Sequence, residues 1–387
     1  MSTAERMAGI EPFEVMEIQT LAREVEARGR DVIHLEIGEP DFRTPRPIVE
    51  AAKRALDREP MFYTSALGMA SLREAIARWY RERYSFDVPA DRVIVTAGSS
   101  AALLLAFGVL LDPGDEVLLA DPGYPCNRNF LRTLGAVPRS IAVGPETRYQ
   151  LTAAIAREHW GAATRIVMVA SPSNPTGTLV APDEIARLAV LAREKRGRLV
   201  ADEIYHGLTY GTDARTAAEA GEDVFVINSF SKYFQMTGWR LGWMLAPREL
   251  VRPIEVLAQN LFISPSTVAQ HAALACFAPE TVAILEERRA ELDARRRFLV
   301  PALESIGLRV PVVPEGAFYV YADCSAVTAD SFAFARELLV REGVALTPGK
   351  DFGTNEPERH VRIAYIQPVP RLEEAVARMR RFLSGRS

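Results

Sequence analysis

Residues 228–243 read NSFSKYFQMTGWRLGW. Lys53, Lys195, Lys232 and Lys350 are the lysines among 46 basic residues, so arginine is the usual cation of this chain. An amine can lose its proton when its surroundings lower its pKa, and it then serves as nucleophile or base; a guanidinium effectively cannot. Lys232, set in a run of Ser, Phe, Tyr and Trp, therefore asks for a chemical reason. Arg240 follows it by eight positions. Four other stretches hold groups able to bind or react: Gly98-Ser99-Ser100, Asn174 within SPSNPTG (171–177), Asp202-Glu203 with Tyr205 close behind, and Ser229 with Ser231.

These groups need elements to hold them. RVIVTAG (92–98), EVLLADP (116–122), TRIVMVASP (164–172), GRLVADE (197–203) and DVFVINSFS (223–231) read as buried strands. SSAALLLAFGVLL (99–111) and PDEIARLAVLAREKRG (182–197) have helical spacing. Continuous β-branched runs, each followed by a helix, predict a mainly parallel sheet covered on both faces. In such sheets ligands bind beyond the carboxyl ends of the strands. The candidate residues fall at those ends, and the helix opening at Ser99 offers N–H groups and a positive dipole end to an anion. Taken singly, each has an ordinary structural explanation: a helix cap, a turn, a solvated charge. An acid, a phenol, an amide, an amine and an anion site on one sheet edge argue for a binding site. Toward the C-terminus a long amphipathic helix (286–307) precedes AFYVYADC (317–324), a helix near 330–342, GVALTPGKDFG (343–353) and HVRIAYI (360–366), a smaller α+β unit to which DVIHLEIGEPDF (31–42) can add a strand.

The chain has 387 residues, 48% of them hydrophobic. Single cores stop growing near about 250–300 residues, so one large unit and a smaller one are expected. A net charge of −4 gives no footprint for nucleic acid or an anionic membrane. Cys126, Cys276 and Cys324 are too few and too far apart for a disulfide framework, and no Cys/His cluster points to a metal. No apolar run reaches the roughly 20 residues of a membrane span, and the start of the chain lacks a signal-peptide pattern. A cytoplasmic protein is the expectation.

The chain resembles the class I aminotransferases, fold type I enzymes that use pyridoxal 5′-phosphate (PLP). The resemblance is carried by IGEPDFRTP (37–45), YTSALGMASLREAIA (63–77), DPGDEVLLADPGYP (112–125), SPSNPTG (171–177), DEIY (202–205), SFSKYFQMTGWRLGW (229–243) and VRIAY (361–365). It implies an α/β fold: a large PLP-binding domain over 46–285, with a mostly parallel seven-stranded sheet between helices, and a small α+β domain from 1–45 and 286–387. It also implies a homodimer.

By the same resemblance Lys232 holds PLP as an internal aldimine and later carries a proton between the substrate Cα and the cofactor. Asp202 keeps the pyridine nitrogen protonated, as an electron sink requires. Asn174 and Tyr205 bond the phenolic oxygen. The backbone of Ser99 and Ser100, with Ser229, Ser231 and Arg240, holds the phosphate, and Tyr63 reaches the phosphate in the neighbouring subunit. Tyr124 stacks on the ring. Arg362 forks onto the substrate α-carboxylate, helped by the backbone of Gly38. At two positions where dicarboxylate-specific relatives carry a cation this chain has Asn260 and Gly108, which favours neutral, apolar or aromatic donors unless another arginine such as Arg128 reaches in. The reaction expected is amino transfer from an L-amino acid to a 2-oxo acid by a ping-pong mechanism. A β-lyase acting on sulfur amino acids shares the same cofactor chemistry, and a PLP-binding sensor is the reading from another class.

Overall fold

The computed structural model describes residues 3–10, 12–212 and 214–385. The strands are β1 (Ile33–His34), β2 (Val93–Thr96), β3 (Glu116–Asp121), β4 (Val137–Ala142), β5 (Thr164–Ala170), β6 (Arg198–Asp202), β7 (Phe225–Ser229), β8 (Gly242–Leu245), β9 (Tyr319–Asp323), β10 (Val344–Ala345), β11 (Thr347–Pro348) and β12 (His360–Ala364). Seven of them form one sheet in the order β2-β8-β7-β6-β5-β3-β4. Strands β3 to β7 pair in parallel, and β8 alone runs antiparallel to both its neighbours, β2 and β7.

Both faces of this sheet are buried, because successive side chains of a strand point to opposite sides. Ile94, Ile166, Val200, Ile227 and Met244 pack with the apolar helix Ser99–Leu110 in one layer. Val95, Val167, Leu199, Val226 and Leu245 pack in the other, together with Leu188 of the helix Pro182–Glu194. Strands β4 and β8 are absent from the sequence reading. β4 is an edge strand with mostly exposed side chains, so VPRSIA lacks an apolar run. β8 is short, and its glycine weakens its strand signal. Gly242 earns that position sterically: a Cβ there would lie 2.8 Å from the Asn228 carbonyl oxygen and 2.9 Å from the backbone nitrogen of Ser99. The missing side chain lets the start of the helix Ser99–Leu110 sit against the sheet.

The smaller unit carries an antiparallel sheet, β11-β12-β9, and the chain's two ends meet where β1 pairs in parallel with β10. The helix Pro279–Glu304 starts earlier than the charged pattern at 286 and runs unbroken past residue 285. Among the described residues no single helix is long and apolar enough to cross a membrane.

One loop joins the two sheets. In SPSNPTG, Gly177 has φ +67° and donates its N–H to the Ser173 carbonyl at 2.8 Å. Its own carbonyl accepts the N–H groups of Glu315 and Gly316, both at 2.9 Å, just before β9. A Cβ at this glycine would stand 2.6 Å from Pro314 Cβ and 2.7 Å from the Gly316 carbonyl oxygen. Gly177→Ala should therefore lose about 2 kcal/mol or more, from left-handed backbone strain and overpacking together. Gly161→Ala is the control, since its new methyl meets other atoms only at 3.6 Å and beyond. Thermal or denaturant unfolding of the two variants measures the difference, and equal midpoints would contradict this account of the loop.

Candidate active site

Beyond the carboxyl ends of β5, β6 and β7, a cavity of about 450 Å³ opens between the two sheets. Lys232 enters it from the loop after β7, and its amine donates to the Gly38 carbonyl at 2.6 Å. Burial lowers the Lys232 pKa to about 8; Arg362 and Arg240 push it the same way, while Glu39 and Asp202 oppose. The amine also lies 5.8 Å from the centre of the Tyr205 ring and 5.9 Å from that of Phe318.

Asp202 ends β6 and is 4% exposed. One of its oxygens accepts the Ile204 N–H at 3.1 Å. Burial raises its pKa to about 7, against the pull of that N–H and of Lys232. Glu203, one residue on, does not line the cavity. Its carboxylate accepts from the Thr216 hydroxyl at 3.0 Å and the Ala217 N–H at 2.5 Å. Strand alternation thus sends one acid of the Asp-Glu pair to the cavity and the other to the opposite layer.

Arg362, on β12, is 5% exposed. It donates to Asn174 Oδ1 at 3.0 Å, to the Glu36 carbonyl at 2.6 Å and to the Thr347 hydroxyl at 3.2 Å. Its guanidinium lies 4.3 Å from the ring centre of Tyr319 and 5.0 Å from that of Phe352. Its Nε has no partner among the described residues. The Tyr205 and Tyr319 hydroxyls bond each other at 3.0 Å.

Arg240 adopts a left-handed backbone conformation, φ +54°, after the turn Thr237–Trp239. It donates to the Thr237 carbonyl at 3.1 Å, and its guanidinium lies against Gly98 at the head of the helix Ser99–Leu110. A Cβ at Gly98 would stand 2.6 Å from Arg240 Nη2, and Gly98 has φ +82°, a backbone conformation that favours glycine.

The cavity therefore brings together Lys232, Asp202, Tyr205, Asn174, Arg240 and Arg362, with Tyr124, Ser99, Ser100, Ser231 and Gly38 also in its wall. Ser229 and Tyr63 lie outside this wall. Ser229 is buried outside the wall, where its hydroxyl donates to the Leu241 carbonyl at 3.3 Å and accepts the Ser231 N–H at 3.0 Å. Tyr63 is 80% exposed on a loop away from this cavity. Asn260 is exposed and bonds the Val256 carbonyl at 2.7 Å. Gly108 sits where helices Ser99–Leu110 and Arg248–Leu261 meet, a Cβ there being 2.9 Å from Leu257. Arg128 donates to the carbonyls of Phe352 at 2.9 Å and Asp351 at 3.2 Å and is not in the cavity wall.

The sequence reading missed Tyr319, Glu36, Asp351 and Phe13, all in the wall. Tyr319 stands in a run that reads only as a buried strand, and the N-terminal helix Glu14–Ala27, which Phe13 precedes, comes to the cavity by tertiary packing alone. Asp351 accepts the Glu14 N–H at 2.9 Å and the Val15 N–H at 3.3 Å, and so ties that helix down.

Comparison with known proteins agrees with this geometry. The family model for "Aminotransferase class I and II" matches residues 30–379. A valine–pyruvate aminotransferase of Mycobacterium tuberculosis is 42% identical over 374 residues, covering 96% of each chain. A (5-formylfuran-3-yl)methyl phosphate transaminase of Methanocaldococcus jannaschii is 38% identical, covering 98% of this chain and 99% of the relative. The crystal structure of an aminotransferase from Mycobacterium tuberculosis superposes over the whole of both chains with a TM-score of 0.96 at 41% identity. A sheet with one reversed strand, the residues gathered at its edge and similarity along the whole chain lead to one conclusion: this enzyme belongs to the class I and II aminotransferases.

Proposed function

We propose that the enzyme uses PLP to move the amino group of neutral, apolar or aromatic L-amino acids to a 2-oxo acid in a ping-pong reaction. The observation that carries this reading is a buried lysine amine, easily deprotonated, in one cavity with a buried carboxylate and a buried arginine fork. The residues suit the cofactor. Asp202 is a carboxylate whose charge is destabilised by burial, and the protonated pyridine nitrogen is the cation that would restore it. The Gly98–Arg240 cradle and the N–H groups of Ser99 and Ser100 suit the phosphate, with Ser231 beside them. Asn174 and Tyr205 suit the phenolic oxygen, and Tyr124 the ring face. Ser229 supports this loop from behind through the Ser231 N–H. Lys232 is the attachment point.

Bound there, PLP would supply an electron sink that makes the substrate Cα–H acidic. Arg362 holds the α-carboxylate by charge-assisted bonds, and Gly38 lines the same wall. Lys232 Nζ would take the proton from the substrate Cα and carry it between that carbon and the cofactor. Tyr63, exposed here, belongs in this reading to the site of a second subunit, so the working form is a homodimer.

The donor preference rests on charge. Lys232, Arg240 and Arg362 are the cations of the cavity wall, and each already has a task. Glu36, Glu39 and Asp351 stand in the same wall with Phe13, Val15 and Phe352. A second substrate carboxylate would meet acids and hydrocarbon there. The valine–pyruvate relative points the same way.

Three outcomes are expected. First, the cofactor-free protein should take up PLP covalently at Lys232, as borohydride reduction and peptide mapping will show. The neutral amine is the attacking form, so the attachment rate should rise with pH up to about 8 and level off above it. A rate still climbing toward the ordinary lysine range, or a label on another lysine, would refute the assignment. Second, Arg362→Lys keeps the charge but offers one contact where a fork offers two. It should lower kcat/KM about ten- to a hundredfold for all donors alike, each charge-assisted bond contributing roughly 1.5–3 kcal/mol. Arg240→Lys should instead loosen PLP first. Strong discrimination between donors by the Arg362 variant would mean that this arginine reads side chains. Third, a donor screen followed by absorbance should convert bound PLP to the pyridoxamine form with valine, alanine or phenylalanine. Aspartate should be at least roughly tenfold poorer, the factor of one missing charge-assisted bond of about 1.5 kcal/mol or more. Aspartate as best donor would overturn the preference, and pyruvate and ammonia release from cystathionine would establish the β-lyase.

A further inference from the structure

Tyr319 is fully buried, lies in the cavity wall and has no part in the mechanism above. Three contacts define its place. Its hydroxyl is bonded to the Tyr205 hydroxyl at 3.0 Å. Its ring lies under the Arg362 guanidinium, 4.3 Å away. A Cβ on Gly38 would stand 3.0 Å from the Tyr319 oxygen, so the hydroxyl lies over the backbone whose carbonyl receives the Lys232 amine. One side chain thus touches the groups assigned to the cofactor's phenolic oxygen and to the substrate carboxylate, and stands beside the backbone that receives the Lys232 amine.

We infer that Tyr319 is a positioning residue that sets the direction of the Tyr205 hydrogen bond and couples it to the carboxylate-binding arginine. The inference rests on the proposed PLP reading. The proton count supports it. A phenol has one proton to give, and its oxygen can also accept. If Tyr205 gives its proton to the phenolic oxygen of PLP, the bond between the two tyrosines can be made only by Tyr319 donating. Burial raises the pKa of both phenols, so both keep their protons. A donor that itself accepts a hydrogen bond is polarised and donates more strongly. The Tyr319 ring meanwhile presents its negative face to Arg362, and both side chains are buried, which strengthens such a contact.

The test separates the hydroxyl from the ring. Absorbance of the PLP-loaded enzyme is titrated against pH for wild type, Tyr319→Phe, Tyr205→Phe and the double variant. A weaker donor leaves more negative charge on the phenolic oxygen, which holds the proton on the neighbouring Lys232 nitrogen more tightly. The midpoint should therefore move up, by about half a pH unit for Tyr319→Phe, the scale of a partial loss of one hydrogen bond. It should move further for Tyr205→Phe. The double variant should match Tyr205→Phe, because the Tyr319 hydroxyl acts through a group that is then missing. Tyr319→Phe should keep the KM for valine and pyruvate near the wild-type value, whereas Tyr319→Leu should raise both roughly five- to thirtyfold through loss of the ring. An unchanged midpoint in Tyr319→Phe, or shifts of the two single variants that add, overturns the inference while the PLP reading stands. A wild-type protein that shows no PLP band on loading overturns both.

Discussion

The structure is organised around a cation that burial makes willing to lose its charge. Lys232 is enclosed by three arms of the chain: the loop after β7 that carries it, the Gly38 segment that receives its hydrogen bond, and β9 with Phe318 and Tyr319 beside it. Removing water from an amine without giving it a full ion pair lowers its pKa, here to about 8. An arginine in the same place would stay charged and would need a partner. The large sheet, the small sheet and the N-terminal segment must all be assembled before that environment exists.

The antiparallel strand β8 makes the Lys232 loop possible. The chain leaves β7 at Ser229, passes Lys232, turns at Thr237–Trp239 and returns as β8 beside the strand it left. The return puts Gly242 against Gly98 and Ser99 and lays Arg240 over Gly98. An amine and a helix start that are distant in sequence, at 232 and at 98–100, become neighbours because Gly242 leaves room for the Ser99 backbone. Ser229 serves this turn from inside the protein, which accounts for its burial outside the cavity wall.

Arg362 plays the matching part in the smaller unit. It is held by Asn174 from the large sheet, by the Glu36 carbonyl from the N-terminal segment and by Thr347 from β11. These contacts fix the direction of the fork, and a guanidinium held in this way would bind an anion at a lower ordering cost. They also make the loop at 171–177 a bridge between the two sheets, since Asn174 reaches Arg362 while Gly177 bonds the backbone before β9.

Much of this was legible in the residues. Apolar runs closed by polar residues at 92–100, 164–174, 197–205 and 223–232 announced a parallel sheet and named the edge where Lys232, Asp202, Asn174 and Ser99 would meet, because strand burial leaves a periodic trace in composition. A lysine where arginine is the habit marked the amine that lines the cavity with a lowered pKa. Other things were decided only by tertiary structure. Nothing in the pair Asp202-Glu203 says which acid faces the cavity; the pleat and register of β6 do. Tyr319 and Phe13 look like core residues from sequence, since a buried aromatic side chain has the same composition whether it faces hydrocarbon or a ligand. The edge strand β4 had no apolar run to betray it, and β8 was too short and too glycine-marked to read as a strand. Local patterns record how much water a residue meets, but only the packed chain determines which distant groups share a cavity.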